Sequence, residues 1–348
     1  MFLYFCRVIR NYMVHKMERD SYWDSLKFVL IFLVVYGHTI ECNFPEGGFN
    51  RAMYSFIYMF HMPLFVFISG RFSHIHDRTK YKRGIIRLLE TYIVFQLIRT
   101  LFSIKFFGGK LSTTCLTTPN WILWYLVALI YWRLMIYFLP ERWLLNRKIV
   151  LITTFCISLA AGFIPIGNPF VVQRTLTFLP FFTLGYYSTS FDIRKYINKI
   201  PIILSIAVLI CSWCLLFFMF NKDLSFIHHG SIPYWANSFS HTMKRFFARC
   251  VFLPYSILLG AMVIRIIPNN TILARWGNVT MFIYIYHSFV VNILHVLIRK
   301  NIIPQNEILL FAYALITTFG LLFLSRSKIL NALLNPISFI YNKKEITH

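Results

Sequence analysis

Residues 24–38 read DSLKFVLIFLVVYGH, in which ten uncharged and mostly apolar residues separate Lys27 from His38. An α-helix rises about 1.5 Å per residue, so about 20 such residues cross the roughly 30 Å hydrocarbon core of a bilayer. This stretch and its neighbours therefore predict a membrane-spanning helix over 24–40. Unusually for such a helix, ionisable groups lie near both of its ends.

Nine further runs of similar length and character follow along the chain. Apolar residues make up 58% of the 348 residues, charged residues only 14%, and the mean hydropathy is +0.62. Soluble domains average about 45–50% apolar and about 25% charged residues. The composition therefore excludes a soluble protein, a disordered chain and a small disulfide scaffold. We predict an all-α fold, a polytopic transmembrane helix bundle of about ten helices, at 24–40, 52–70, 84–104, 121–139, 149–164, 171–187, 201–220, 246–264, 277–297 and 306–325.

Basic residues are concentrated in alternate connections between these runs and in the two terminal segments. Cytoplasmic loops of membrane proteins carry such an excess of Lys and Arg. We therefore expect both termini in the cytoplasm: an N-terminal segment 1–20, a transmembrane domain 21–325 and a C-terminal tail 326–348. The net charge of +23 is assigned to this orientation signal and to anionic lipid headgroups, and no nucleic-acid partner is expected.

The first predicted span carries three ionisable side chains, which are costly in a membrane unless they are paired, hydrated or functional. Asp24 and Lys27 are three residues apart and can form a neutralising pair. Lys27 and His38 are eleven residues apart, so they share one helix face and lie about 16 Å apart along the axis. A functional pair is one interpretation. The other is that Lys27 extends to the interface while His38 caps the helix.

Arg83 and Arg87 lie four residues apart at the start of the third predicted span. Two stacked guanidinium groups suit bidentate phosphate recognition, although spacing alone favours ordinary cytoplasmic anchoring. Trp124 fits an aromatic belt at the outer interface, with Trp121 and Tyr125. Other polar groups within spans are His287, Glu90, Gln96 and Arg99, of which the last three are expected to face the bundle interior. No histidine pair with metal-ligand spacing lies in a helical run, so no metal site is expected.

These residues and several short motifs together resemble acyltransferase family 3, in particular its fucose 4-O-acetylase-like branch. The resemblance covers roughly residues 20–325, so residues 21–325 are expected to form an acyltransferase-3-like transmembrane domain. The matching motifs are Asp24 and Lys27 with His38, Pro63-Leu64-Phe65 with Ser69-Gly70, Arg83 with Arg87, Leu123-Trp124-Tyr125-Leu126, the stretch 179–186, and Gly277 with Tyr284-Ile285-Tyr286-His287.

The resemblance implies an integral membrane O-acyltransferase of the inner (plasma) membrane. It would move an acetyl group from acetyl-CoA to a sugar hydroxyl of a cell-surface polysaccharide or its lipid-linked precursor. No tightly bound cofactor is expected; the partners are acetyl-CoA, a carbohydrate acceptor and the bilayer. The roles implied are catalysis for His38, Lys27 and Asp24, donor binding for Arg83 and Arg87, and substrate contact or pore lining for His287, Tyr286, Glu90, Trp124 and Ser69.

Within this interpretation His38 is either a general base or a transient acyl carrier. Lys27 would join Arg83 and Arg87 at the CoA phosphates, and the pantetheine arm would span the distance to His38. Two other classes of function stay open at this stage. One is a non-enzymatic transporter or flippase for polysaccharide or lipid-linked sugar, which also needs polar groups inside a bundle. The other is a structural or sensory membrane protein.

Overall fold

The computed structural model describes residues 21–41, 48–109, 117–164, 169–190, 192–218, 225–235, 238–334 and 336. The regular structure of these residues is helical, and they contain no strand. The helices are α1 Ser21–Ile40, α2 Phe49–Arg71, α3 Arg78–Phe107, α4 Trp124–Phe138, α5 Glu141–Leu145, α6 Arg147–Ala161, α7 Val172–Tyr187, α8 Ile193–Ile197, α9 Ile202–Phe218, α10 Ser225–His228, α11 Phe239–Ile266, α12 Thr271–Gly277, α13 Thr280–Arg299, α14 Glu307–Leu324 and α15 Lys328–Leu334.

The predicted all-α membrane bundle is confirmed, and each of the ten predicted spans overlaps at least one helix. Among the described residues, six helical segments are long and apolar enough to cross a membrane: α1, α2, Trp121–Phe138 (α4 with the 3₁₀ turn before it), α11, α13 and α14. The number of spans and the cytoplasmic location of the termini stay predictions. The predicted segment 1–20 and most of the tail beyond α15 lie outside the described residues.

Two helices begin earlier than their apolar residues predict, because polar residues cap them. The Asp77 side chain accepts a hydrogen bond from the backbone N–H of Lys80, so α3 begins at Arg78 rather than near residue 84. The Ser238 hydroxyl accepts one from the backbone N–H of His241, which starts α11 at Phe239. Such caps satisfy backbone donors that the first helical turn leaves unpaired.

Helix α1 is the central element of the bundle. It contacts α2, α12, α13 and α14, and Trp23, Leu26 and Leu30 on it are fully buried. A helix that is apolar on all sides is stable when other helices surround it. The bundle therefore encloses α1 along most of its length and holds both of its polar ends in place.

Glycines allow two close backbone contacts that fix the helices around α1. A Cβ atom on Gly70 of α2 would overlap the carbonyl oxygen of Phe182 on α7, and one on Gly185 of α7 would overlap that of Phe67 on α2. In the same way, Gly277 at the end of α12 lies against the carbonyl oxygen of Asp24 on α1. Helices α2 and α7 therefore contact each other backbone to backbone, as do α12 and α1.

Candidate active site

His38 lies in the last turn of α1, where its ring is held by a carboxylate and a phenol. Its Nδ1 is 2.9 Å from Oε2 of Glu41 and 3.1 Å from the hydroxyl of Tyr58. The backbone carbonyl of His38 accepts a hydrogen bond of 2.9 Å from Nε2 of His295 on α13. These contacts fix both the backbone and the ring of His38.

The surroundings of Glu41 keep its carboxylate charged. Burial alone would raise the pKa of Glu41, but the hydrogen bond with His38 and the nearby His229 and His295 outweigh burial and lower that pKa. A charged carboxylate only accepts hydrogen bonds, so Nδ1 of His38 carries the proton and donates it to Glu41. Nε2 then carries the lone pair, and it makes no hydrogen bond to any described residue. This arrangement of carboxylate, imidazole and available nitrogen is that of a general base or nucleophile.

Two aromatic side chains flank the His38 ring. The ring of His287 on α13 stacks on it at a centroid distance of 5.5 Å, and Trp121 packs against it at 4.6 Å. Nδ1 of His287 lies 3.0 Å from the carbonyl oxygen of Ile283, so this nitrogen is the protonated one. Nε2 of His287 is therefore an acceptor, and it is buried with no hydrogen-bond partner among the described residues. Of the residues predicted to line a site, His287 is thus the one in ring contact with His38.

At the opposite end of α1, the predicted pair of Asp24 and Lys27 is present. Nζ of Lys27 is 3.0 Å from Oδ1 of Asp24, whose side chain is buried. The Lys27 ammonium also lies 4.4 Å from the centre of the Phe72 ring. Asp24 therefore neutralises and orients Lys27 where it reaches a cavity.

This cavity, the lysine cavity, has a volume of about 280 Å³. It follows one face of α1 through Lys27, Ile31 and Val34, and His38 is the next residue on that face, one turn beyond. The predicted alignment of Lys27 with His38 is therefore the line along which the cavity runs. The other lining residues are Met62, Phe65, Ile68, Ser69, Phe72, Tyr125, Leu129, Arg133, Gly277, Asn278, Thr280, Met281 and Tyr284.

Ser69, predicted as a site residue, lines the lysine cavity and is hydrogen-bonded to Tyr125 at 2.5 Å. The Tyr125 ring contacts that of Tyr284, with a centroid distance of 5.6 Å, and Tyr284 contacts His287 at 6.2 Å. A continuous row of polar aromatic side chains therefore connects the lysine cavity to the histidine pair.

Arg133 on α4 was not predicted as a site residue. It lines the lysine cavity, and within the part of the chain that the structure describes its buried Nε has no hydrogen-bond partner. A Cβ on Gly84 of α3 would lie 3.4 Å from Nη1 of Arg133. Arg133 thus extends from the cavity to the part of α3 that carries Arg83 and Arg87. Its signal in the sequence was an ionisable residue within the predicted span 121–139.

A second cavity, the tryptophan cavity, is lined by Trp121, whose ring packs against that of His38. It has a volume of about 270 Å³ and is lined by Thr118, Pro119, Trp121, Trp124, Val171 and Arg174. Trp124 was predicted as a site residue, whereas Arg174, a charged residue within the predicted span 171–187, was not. His38 is therefore near both cavities: it lies one helical turn beyond Val34 of the lysine cavity and in ring contact with Trp121 of the tryptophan cavity.

Seven predicted site residues lie outside both sets of lining residues. Three of them, His38, His287 and Asp24, are described above. Arg83 and Arg87 are exposed on α3, beside the segment that Arg133 approaches. Glu90 is half-buried, and its Oε2 has no hydrogen-bond partner among the described residues. The Tyr286 hydroxyl donates to the carbonyl of Leu330 at 2.8 Å. The other two polar groups expected in the interior, Gln96 and Arg99, are buried. No group of three or more His, Cys, Asp or Glu side chains able to hold a metal occurs among the described residues.

Comparison with known proteins shows the family to which the chain belongs. The family model for the acyltransferase domain of acyltransferase family 3 matches residues 20–326. The chain is 30% identical over 187 residues to nodulation protein NolL of Sinorhizobium fredii, covering 49% of this chain and 48% of that protein. It is also 30% identical over 215 residues to nodulation protein NolL of Mesorhizobium japonicum, covering 56% of each. The chain thus spans about half the length of these curated relatives, and no solved structure matches it. With a family model that covers nearly all of the helical bundle, the chain belongs to acyltransferase family 3.

Proposed function

We propose that this chain is an integral membrane O-acyltransferase of the inner (plasma) membrane. It transfers an acetyl group from acetyl-CoA to a sugar hydroxyl of a cell-surface polysaccharide or its lipid-linked precursor. The observation that carries the proposal is the His38 ring. Its Nδ1 is held by the Glu41 carboxylate, its Nε2 is available, and it lies one turn beyond the end of the lysine cavity.

In direct transfer, Nε2 of His38 takes the proton of the sugar hydroxyl while the hydroxyl oxygen attacks the thioester carbonyl carbon. The carbon–sulfur bond then breaks, and the imidazolium returns the proton to the departing thiolate. An ester and the CoA thiol are the products, so protons and charge balance. Glu41 orients the ring and stabilises the imidazolium that forms between the two proton transfers.

In the carrier route, Nε2 of His38 attacks the thioester itself and holds the acetyl group until the sugar hydroxyl displaces it. The carbon–sulfur bond breaks in this first step, and the thiolate takes up the Nδ1 proton of the acylated imidazolium through Glu41 and water. When the sugar hydroxyl attacks, the carbon–nitrogen bond breaks and the hydroxyl proton restores the neutral imidazole. The two routes differ in one measurable respect. Rapid acid quenching after mixing with labelled acetyl-CoA, without acceptor, yields labelled protein only in the carrier route.

The donor is proposed to enter at the Lys27 end of the bundle. Val34, the last lining residue of α1 before His38, is seven residues from Lys27, or about 10 Å along the axis. A pantetheine arm in the lysine cavity would therefore bring its thioester close to the imidazole. Lys27 and Arg133 line this path, and Arg83 and Arg87 are exposed beside it, where they can bind phosphates through guanidinium forks.

The direct test is acetyl transfer by purified protein reconstituted in vesicles with labelled acetyl-CoA and glycan acceptors. Wild-type protein is expected to form base-labile acetyl esters on the glycan, and His38→Ala to form none while inserting normally. His76→Ala, which changes an exposed histidine, serves as the matched control. Full activity of His38→Ala would refute the assignment. Movement of glycan across the bilayer without ester formation would instead assign the chain as a transporter.

Arg83 and Arg87 are tested by the acetyl-CoA dependence of the rate. Replacing both with glutamine should raise the KM for acetyl-CoA and leave the KM for the acceptor unchanged, because their proposed role is limited to donor phosphates. An unchanged acetyl-CoA dependence would remove them from the donor site.

A further inference from the structure

The tryptophan cavity combines two aromatic walls with a guanidinium group. The rings of Trp121 and Trp124 line it, and the guanidinium of Arg174 lies 4.9 Å from the centre of the Trp124 ring. Its volume of about 270 Å³ is that of a small binding site, slightly below the usual range of ligand pockets. Flat apolar walls with one fixed polar group are typical of sites that orient a ligand.

The backbone of this cavity is strained at two non-glycine residues. Trp121 has φ of 38° and Val171 has φ of 60°, both in the left-handed region. Such conformations cost about 1–3 kcal/mol each and persist where the surrounding structure enforces them, often at ligand sites. For Val171 the cost is high because its side chain is β-branched. The strain therefore marks the tryptophan cavity as a formed site rather than a packing gap.

Arg174 has unused hydrogen-bonding capacity at this site. Nη2 donates to the Ser231 hydroxyl at 3.3 Å, while the buried Nε has no partner in the described ranges of the chain. No carboxylate of the described residues lies within ion-pair distance of Arg174. Glu41 acts on Arg174 only at longer range, and its carboxylate is bonded to His38.

Two further buried arginines give this end of the bundle a positive interior. Arg99 is 8% exposed and lies 5.3 Å from the centre of the Trp121 ring, and its Nε and Nη1 have no partner among the residues that the structure describes. Arg249 is 1% exposed and donates to the Thr177 hydroxyl at 2.8 Å, and its Nε and Nη2 likewise have no partner among those residues. Neither forms an ion pair with a described residue. Buried charges without counter-ions are costly, so an anionic ligand here would be bound strongly.

We propose that the tryptophan cavity binds the acceptor through an anionic group, a carboxylate or a phosphate, held by Arg174. This inference rests on the proposed function, since it makes the cavity the acceptor site. A planar guanidinium pairs with either anion through two parallel hydrogen bonds. Trp121 contacts both the cavity and His38, so a sugar unit beside the anion lies next to the imidazole. The acceptor class is therefore an acidic glycan, such as one containing uronic acid, or a sugar linked to a lipid diphosphate.

The test is equilibrium binding to the purified full chain in nanodiscs, without acetyl-CoA, so that it does not depend on catalysis. The carboxylate arm compares a hyaluronan hexasaccharide with its carboxyl-reduced, neutral derivative of equal length. The phosphate arm compares a short polyprenyl diphosphate N-acetylglucosamine with the same lipid carrying a neutral linkage. At least one charged probe is expected to bind about tenfold or more tightly than its neutral partner, with the preference falling as salt is raised.

Substitutions then test whether Arg174 is responsible for the preference for charged probes. Arg174→Gln should abolish the difference between charged and neutral probes, and Arg174→Lys should retain part of it. Lys244→Gln, which removes an exposed cation on α11, should leave the difference unchanged. Melting temperatures identify any variant that fails to fold, in which case Arg174→Lys decides.

The inference would be overturned if charged and neutral probes bound equally in both arms, or if no probe bound at all. A preference for charged probes that survives Arg174→Gln would also overturn it. The proposed function fails separately, if wild-type protein forms no acetyl ester on any glycan. Charge-dependent binding without ester formation would therefore keep the anion site and reject the transferase.

Discussion

Replacing Glu41 with glutamine removes a charge from the His38 environment while keeping the shape of the side chain. The imidazolium that forms during transfer then loses a charge-assisted hydrogen bond, which contributes about 1.5–3 kcal/mol. Because the Glu41 side chain is 31% exposed, water replaces part of this interaction, and the lower half of the range applies. A loss of about 1.5–2 kcal/mol in the transition state corresponds to a roughly 10- to 30-fold decrease in kcat.

The assay is the initial rate of acetyl transfer in reconstituted vesicles at saturating acetyl-CoA and acceptor. Glu41→Gln should lower kcat and leave the KM for acetyl-CoA unchanged, because Glu41 lies away from the lysine cavity. Glu307→Gln, at the exposed start of α14, is the matched control and should keep full activity. A wild-type kcat in Glu41→Gln, or an effect confined to the KM values, would show that the carboxylate does not act through His38.

Three further predictions concern the lysine cavity, the helix contacts and pH. Arg133→Gln should raise the KM for acetyl-CoA roughly tenfold. Arg142→Gln, which changes an exposed arginine, should leave that KM unchanged. Equal KM values in the two variants would contradict a donor role for Arg133. Gly277→Ala should lower the free energy of unfolding by about 1–3 kcal/mol, because its Cβ would overlap the α1 backbone. Gly320→Ala is the control and should be neutral, because its Cβ meets nothing within 4 Å. Equal melting temperatures of the two variants would disprove the contact. Because the pKa of Glu41 is lowered from 4.5, its charge stabilises the fold above that pH and the benefit is lost as the pH falls through the lowered value. The melting-temperature advantage of wild type over Glu41→Gln should therefore be full near about pH 6 and shrink as the pH falls below 4.5 and through the lowered pKa. An advantage independent of pH would contradict this linkage.

The sequence was most informative where one helix determines the geometry. The spacing of Lys27 and His38 requires a shared face once α1 is helical, and the lysine cavity follows that face. The pairing of Asp24 with Lys27 is equally local. Helix positions were also predictable from apolar runs, apart from capped ends such as that of α3, where Asp77 rather than hydrophobicity sets the start.

Contacts between helices distant in sequence were not predictable in this way. The stacking of His287 on His38 joins α13 to α1, and no spacing rule relates residues so far apart. Glu41 follows the end of α1, so the apolar pattern gave it no role, although it lies three residues from His38. Arg133 and Arg174 did carry a signal, because each is a charged residue within a predicted span. Their functional interest depends on the cavities, which only the packed bundle defines.

The close contact between α2 and α7 at their glycines limits where a membrane-bound substrate could enter the bundle. Gly70 and Gly185 place the backbones of the two helices in direct contact. A hydrocarbon tail could pass between these helices only by breaking that contact. Lipid therefore cannot enter the bundle between α2 and α7 at this contact. If the acceptor is lipid-linked, as proposed, it would have to enter the bundle between other helices.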